Sequence, residues 1–398
     1  MKYRLRNGIL LTPNGTEELD LLINGKRIEA LIGREESTSE EYVSIDCNNL
    51  YVSAGFVDIH QHGGGGSDYM DATADAYLQA TDAHLRHGTT SIMPTLLSAD
   101  KDALLTSIRA YRKAKQDPRI TCNLLGLHIE GPYISPFQAG AQKPEHIRCF
   151  DADEYREIAN VGDGEIKRWS VAPEVKGAQD FAAFASANGI TLSIAHSNAD
   201  FDTVKRAFDW GFRHVTHLYS CISTITRRNG FRVLGVLEAA YLLDGMNVEI
   251  IADGCHLPHE LLSYVTKFKE NERIALITDA MRAAGQDTAE SFLGSSSDPL
   301  PVIVEDGVAK LTDRSAFGGS VATADRLVRN MLQSGSTLGD AVKMITVNPL
   351  RMMGLSVKKG ELRPAYDADV CVFDRDIQIK HVFCNGTPVC FEASKTEK

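Results

Sequence analysis

Two rhythms of apolar and polar positions divide the chain. Over residues 1–52, short apolar runs such as Leu21-Leu22-Ile23 and Val43-Ser44-Ile45 lie between turn signals. Asn14-Gly15 and Asn24-Gly25 are hairpin signals, because both residue types tolerate positive φ. This pattern predicts short strands and no helix of convincing length. From Tyr51 onward, apolar runs alternate with amphipathic stretches of helical period. Strands are predicted at 52–59, 90–95, 123–129, 169–172, 191–195, 214–216, 248–252 and 274–278, and helices at 74–86, 102–115, 180–188, 202–210 and 259–269. Gly88, Gly189, Gly211 and Gly245 follow helical stretches as stop signals. Helical patterns at 324–333 and 338–344 precede a second strand-rich piece. It opens at Gly360-Glu361-Leu362 and holds Asp369-Val370-Cys371-Val372-Phe373, Lys380-His381-Val382-Phe383 and the turn Asn385-Gly386.

Eight strands with intervening helices match a (β/α)8 TIM-like barrel in count and size. A doubly wound open sheet has the same linear pattern, since periodicity does not show closure. The expected architecture is an α/β barrel over 53–357. The two strand-rich ends, 1–52 and 358–398, are expected to form one small β-sandwich domain from both termini.

Composition narrows the function classes. Apolar residues are 43% and charged residues 24%, as in an ordinary globular protein. The net charge is -11 with no long basic block, which argues against nucleic acid and anionic membrane surfaces as partners. A few local cations still suffice for a small anionic ligand. The apolar runs are too short to span a bilayer, and Met1-Lys2-Tyr3-Arg4-Leu5-Arg6 lacks the apolar core of a signal peptide. Eight cysteines are scattered without a CxxC pair, which fits free thiols in a reducing cytoplasm.

The chemistry gathers where strands end. In Leu124-Leu125-Gly126-Leu127-His128-Ile129-Glu130-Gly131-Pro132-Tyr133 an apolar run stops at a carboxylate and Gly-Pro turns the chain. A buried acid there is costly unless it meets a cation or hydrogen-bond donors. A strand-end Glu held by backbone N–H groups would satisfy that need alone. Other strand ends supply better partners. Asp58, His60 and His62 close the first strand, spaced by two and so on one face. His196 follows the fifth, His217 the sixth, Asp253 and His256 the seventh, and Asp279 the eighth. Barrel active sites lie at the C-terminal strand ends. Imidazole nitrogens and carboxylate oxygens there are ligands for a borderline divalent metal, whereas the cysteines do not share the placement.

This arrangement resembles the amidohydrolase superfamily. The motifs Gly126-Leu127-His128-Ile129-Glu130-Gly131-Pro132, Ala195-His196-Ser197-Asn198, Thr216-His217-Leu218-Tyr219, Ala252-Asp253-Gly254-Cys255-His256 and Thr278-Asp279-Ala280 are similar to those of the N-acetylglucosamine-6-phosphate deacetylase family. The likeness runs in order from Gly55-Phe56-Val57-Asp58 to Lys359-Gly360 and Asp367-Ala368-Asp369. It implies that Glu130, His196 and His217 hold a principal divalent metal, with zinc the first choice and iron or another divalent ion an alternative. His60 and His62 imply a second ion, so one or two per subunit. Asp279 is then the catalytic acid/base. His256 helps polarise the amide carbonyl, and Arg228 meets the sugar phosphate across a homodimer interface. Ala141, Gln142, Ser220, Cys221, Phe317, Gly318 and Gly319 fall where the family contacts substrate. The implied reaction is hydrolysis of the acetamide of N-acetyl-D-glucosamine 6-phosphate to D-glucosamine 6-phosphate and acetate, in amino sugar catabolism.

Three positions depart from the family pattern. Gly140-Ala141-Gln142-Lys143-Pro144 has Gln142 where the family has a phosphate-binding His. Ser220-Cys221 replaces an Asn, and Ala54 replaces a Pro. Lys143 is either a substitute phosphate donor or a solvated loop lysine. Gly63-Gly64-Gly65-Gly66 lacks the ending of a phosphate loop and reads as close backbone approach to the site. Phe317-Gly318-Gly319-Ser320 reads either as a ligand contact or as a turn. The competing readings are a deacetylase of N-acetylgalactosamine 6-phosphate, another amidohydrolase acting on a cyclic amide or nucleobase, and a non-catalytic scaffold. No Lys ends the fourth strand, Trp169-Ser170-Val171-Ala172-Pro173-Glu174, which disfavours carbamylated-lysine chemistry. A scaffold would be expected to have lost ligands or the acid, and every expected position is filled.

Overall fold

The computed structural model describes residues 1–39, 41–355 and 357–389. The part of the expected C-terminal β segment beyond 389 lies outside the described residues. Eight parallel strands follow one another around a barrel: β1 (Phe56–Gln61), β2 (Thr89–Leu96), β3 (Leu127–Glu130), β4 (Ile166–Val171), β5 (Thr191–Ile194), β6 (His214–Val215), β7 (Asn247–Ile251) and β8 (Ile274–Ile277). Register is parallel throughout, as in Ile129 opposite Trp169 and Ile251 opposite Ile277. The chain leaving β8 returns to β1 where the Asp279 N–H donates to the His60 carbonyl at 2.9 Å, so the ring nearly closes. The open-sheet alternative is thereby set aside. β2 and β8 are buried at every position, because one face meets the barrel interior and the other the helices.

The helices start and stop where side chains satisfy their ends. Asp100 caps Lys101–Ala114 by accepting the Ala103 N–H, and Asp200 caps Phe201–Asp209 by accepting from Thr203. Such caps stabilise a helix by about 1 kcal/mol. Gly88, Gly189, Gly211 and Gly245 all have positive φ, as stop positions require.

Two predicted strands are broken. The run 52–59 divides at Gly55: Tyr51–Ala54 belongs to a terminal sheet and Phe56–Gln61 to the barrel. A Cβ at Gly55 would lie 2.2 Å from Thr90 Oγ1, so only glycine passes this joint. The run 123–129 divides into Asn123–Leu124 and Leu127–Glu130 around Gly126, whose φ is +131°. Glu130 therefore ends β3 rather than following it. Several elements were not expected, two of them at the barrel mouth's loops. A four-stranded antiparallel sheet (Glu290–Leu293, Leu300–Glu305, Val308–Leu311, Phe317–Ser320) follows β8, and a hairpin (Thr226–Arg228 with Phe231–Val233) follows β6.

The termini do combine. One sheet runs Arg27–Ile32, Asp20–Asn24, Lys2–Arg6, Tyr42–Asp46. The second interleaves both ends of the chain, with Val370–Phe373 antiparallel to Tyr51–Ala54. Leu5, Leu10, Leu21, Ile23, Val52, Val370 and Phe383 form their shared apolar core. Among the described residues no helix is long and apolar enough to cross a membrane.

Candidate active site

The C-terminal ends of the barrel strands surround a cavity of about 290 Å³. Its walls include His62, Glu130, Ala141, Gln142, His196, His217, Ser220, Cys221, His256, Asp279, Phe317 and Gly319. Tyr219, Leu97, Leu293 and Ala316 complete much of the lining and were not expected from sequence. Gly318 is buried beside the cavity rather than on it, and His60 lies beneath it, fully buried.

Two donor clusters meet at the cavity floor. The ligand atoms of Glu130, His196 and His217 lie within 4.8 Å of one another, and so do those of His60, His62 and Asp279. Glu130 Oε1 is 2.9 Å from His217 Nε2 and 3.3 Å from His196 Nε2. Asp279 Oδ1 is 3.1 Å from His62 Nε2 and 3.3 Å from His60 Nε2. Each imidazole turns Nε2 inward because Nδ1 faces an acceptor outside the cluster. The acceptors are the Gln138 carbonyl for His196 (2.8 Å), the Ser220 carbonyl for His217 (3.2 Å), the Thr95 carbonyl for His62 (3.3 Å) and the Glu249 carboxylate for His60 (3.4 Å).

Local backbone aims several of these groups. His196, His217, Tyr219, Cys221 and Asp279 all have positive φ despite being non-glycine residues. That conformation costs on the order of 1–3 kcal/mol each and persists where surrounding structure holds it, often at functional sites.

Charge follows the geometry. Burial alone would raise Glu130 and Asp279, but His60 and the other imidazoles beside them hold both carboxyls below their ordinary values. Burial alone would lower His62, but the adjoining Asp279 and Glu130 push it up to about 9. A set of buried imidazoles and carboxylates so arranged fits a divalent cation. His60 Nε2 makes the same point: it is buried with no hydrogen-bond partner and faces the clusters.

The remaining expected residues are placed as follows. His256 Nδ1 bonds Asp253 Oδ2 at 2.8 Å, and Asp253 Oδ1 accepts the Cys255 and His256 N–H groups at 2.8 Å. Asp253 thus orients His256 and leaves Nε2 for the cavity; the three-residue spacing is its sequence signal. The Phe317 ring stands edge-on to His256 at 4.7 Å. Gln142 is buried, donating from Nε2 to Glu130 Oε2 at 2.8 Å and accepting the Ser98 N–H on Oε1. Lys143 pairs with Asp298, which also takes His146 at 3.0 Å, and lines a smaller neighbouring cavity instead. Arg228 sits on the exposed hairpin, paired with Asp200 at 3.4 Å, and does not reach the cavity of its own chain. Among the described residues no Lys or Arg lines that cavity.

The amidohydrolase family model matches residues 51–389. The chain is 30% identical over 384 residues to an N-acetylglucosamine-6-phosphate deacetylase of Lysinibacillus sphaericus, covering 96% of each. It is 28% identical to an N-acetylgalactosamine-6-phosphate deacetylase of Escherichia coli, over 98% of this chain and all of that one. The crystal structure of N-acetylglucosamine-6-phosphate deacetylase from Pasteurella multocida superposes with a TM-score of 0.90 at 25% identity, covering 98% of this chain and 100% of that one.

Proposed function

This chain belongs to the amidohydrolase family, and on that footing we propose that it hydrolyses the acetamide of N-acetyl-D-glucosamine 6-phosphate, giving D-glucosamine 6-phosphate and acetate. The observation that carries the reading is the convergence of four imidazoles and two carboxylates on the floor of one barrel-mouth cavity, with His256 beside them. Glu130, His196 and His217 would hold the principal divalent ion, taken as zinc, and His60 and His62 a second. Such an ion acidifies water and polarises a carbonyl. Asp279 accepts the proton of the attacking water and passes it to the nitrogen of the departing amine. Its ionised state, favoured by His60 and His62, suits the first half of that task. His256, fixed by Asp253, turns Nε2 toward the carbonyl and helps polarise it. Ala141, Ser220, Cys221, Phe317 and Gly319 shape the sugar pocket, with Gly318 behind them.

A 6-phosphate calls for a Lys or Arg, and among the described residues none lines the cavity from the same chain. Arg228 of the partner subunit is the group we assign to it, which makes the working unit a homodimer. The exposed hairpin, with Phe231 78% exposed, supports a role between subunits. The supporting unit is taken as 1–52 with 358–398, the hydrolase unit as 53–357, and the compartment as the cytoplasm.

Acetate release across N-acetylated glucosamine and galactosamine, with and without 6-phosphate, tests the reading. The expected result is a steep preference for a phosphorylated sugar, with the glucosamine epimer favoured. Equal kcat/KM with and without phosphate would overturn it. A preference for the galactosamine epimer would transfer the assignment to the activity named for the Escherichia coli relative.

A further inference from the structure

His60 differs from the other three inward-facing imidazoles in what holds it. His62, His196 and His217 face main-chain carbonyls, whereas His60 Nδ1 faces a side-chain carboxylate, Glu249 Oε2, at 3.4 Å. Glu249 lies on β7 and is fully buried. Its other oxygen takes Nη1 of Arg168 on β4, which is also fully buried. Arg168 Nη2 donates to Ser193 Oγ and Thr216 Oγ1, both at 3.0 Å. The chain of contacts therefore spans the barrel interior from β4 to β7 to β1, one layer beneath the cavity.

Stability does not account for this pair. Barrel interiors are usually filled with branched apolar side chains. A buried ion pair is often no more stabilising than apolar residues of the same volume, because desolvation offsets the attraction. Orientation does account for it. A carboxylate opposite Nδ1 keeps the imidazole proton there, and the free lone pair is then on Nε2. That atom is buried, lacks a hydrogen-bond partner, and stands 3.3 Å from Asp279 Oδ1 and 3.6 Å from Glu130 Oε1. Outer carboxylates behind metal-bound histidines act in this way generally. Arg168 Nη1 faces the other oxygen of the same carboxylate, the counter-charge that a buried carboxylate requires.

We infer that Arg168 and Glu249 form a buried ionic brace that fixes the His60 proton on Nδ1 and so positions Nε2 as a ligand for the second divalent cation. The inference rests on the deacetylase reading only in taking that cavity floor as a metal site. Both are positioning residues, since neither reaches the cavity.

Zinc content and zinc affinity of the holoenzyme, measured by elemental analysis and competition with graded chelators, provide the test. Wild type should show two equivalents. Glu249→Gln should weaken the second by about 10–100-fold and leave the first unchanged. Because an unpaired buried Arg168 invites misfolding, the paired change Arg168→Met with Glu249→Leu removes both charges together. It should fold, as the energetics of buried pairs imply, and still bind the second equivalent weakly. In zinc-loaded wild type, the imidazole nitrogen NMR spectrum should place the His60 proton on Nδ1. A proton on Nε2, a wild type with a single equivalent, or variants with lower Tm but unaltered second-site affinity would each overturn the inference. Normal two-site zinc binding without acetate release from any sugar would instead defeat the deacetylase reading and leave the brace standing.

Discussion

His196 and His217 stand on left-handed backbone just past β5 and β6, and main-chain carbonyls anchor them, that of Gln138 after β3 and that of Ser220 three residues on. His60 and His62 come from β1 and its end, without positive φ, and one of them leans on a charged pair that crosses the barrel. Equivalent donor atoms are thus held in two ways. In the first cluster a left-handed turn sets each imidazole, and the cost is backbone strain. In the second only Asp279 stands on such a turn, and His60 is held through side chains of strands far apart in sequence. An imidazole aimed by its own backbone turn tolerates change elsewhere in the barrel, whereas a cross-braced one depends on several strands at once. The first cluster should accordingly be the tighter and more robust cation site.

The largest expected effect comes from taking metal away. Exhaustive chelation should abolish acetate release. Stepwise return of zinc should fill the Glu130 cluster first and the His60 cluster second, seen as two phases in a binding titration. Full turnover by verified metal-free protein would break the comparison outright, and simultaneous filling would erase the difference between the clusters. Next is Asp279→Asn. It should retain the fold and most of the principal metal while lowering kcat by ~10²–10⁴-fold, the range for a general acid–base group. If His60→Ala matched that loss in both rate and metal content, Asp279 would be better described as a ligand of the second cluster alone.

Arg228→Ala approaches the contrast from outside both clusters. Hydrogen bonds to charged groups contribute about 1.5–3 kcal/mol, so kcat/KM for phosphorylated sugar should fall roughly 10–100-fold. Both cation affinities should stay put and the unphosphorylated sugar should be unaffected. A change in zinc affinity would show the hairpin coupled to the floor of the cavity. The smallest effect is expected for Gln142→Leu, which removes one donor from Glu130. The loss should be about 1 kcal/mol, several-fold in affinity of the principal metal. No change in chelator competition would leave Gln142 as a wall of the sugar pocket only.

The strand-end residues were legible because a barrel places successive strand termini on one rim. Residues as distant as His60 and Asp279 could then be grouped from strand count alone. The fold class was legible for the same reason, since alternation of strand and helix is a local signal. The brace was not. Arg168 in Ile166–Val171 and Glu249 in Asn247–Ile251 look in sequence like charged positions near solvent. Only their meeting across the barrel makes burial tolerable, and no periodicity records it. The sheet after β8 had a usable turn signal in Asp306-Gly307, between Leu300–Glu305 and Val308–Leu311. Its strands are short, half-exposed and set among serine and glycine, so the apolar alternation is faint. The split at Gly55 was hidden because apolar residues continue across it. What changes there is the partner sheet, and linear pattern does not report partners. Lys143 illustrates a further limit, since an adjacent acid from the inserted sheet, Asp298, decides where its charge goes.

The joint at Gly55 also bears on how the molecule is made. The strand Tyr51–Ala54, which leads directly into β1, takes Val370–Phe373 as an antiparallel neighbour. A ribosome delivers the two segments far apart in time: at ~5–20 residues per second, the interval is roughly 15–60 s. In the last part of that interval, once Gly319 is made, every residue lining the cavity is synthesised while the strand leading to His60 and His62 still has an open edge. Completion of the terminal sheet is therefore a late event in biosynthesis, and the nascent barrel needs protection at that edge until the last strands arrive.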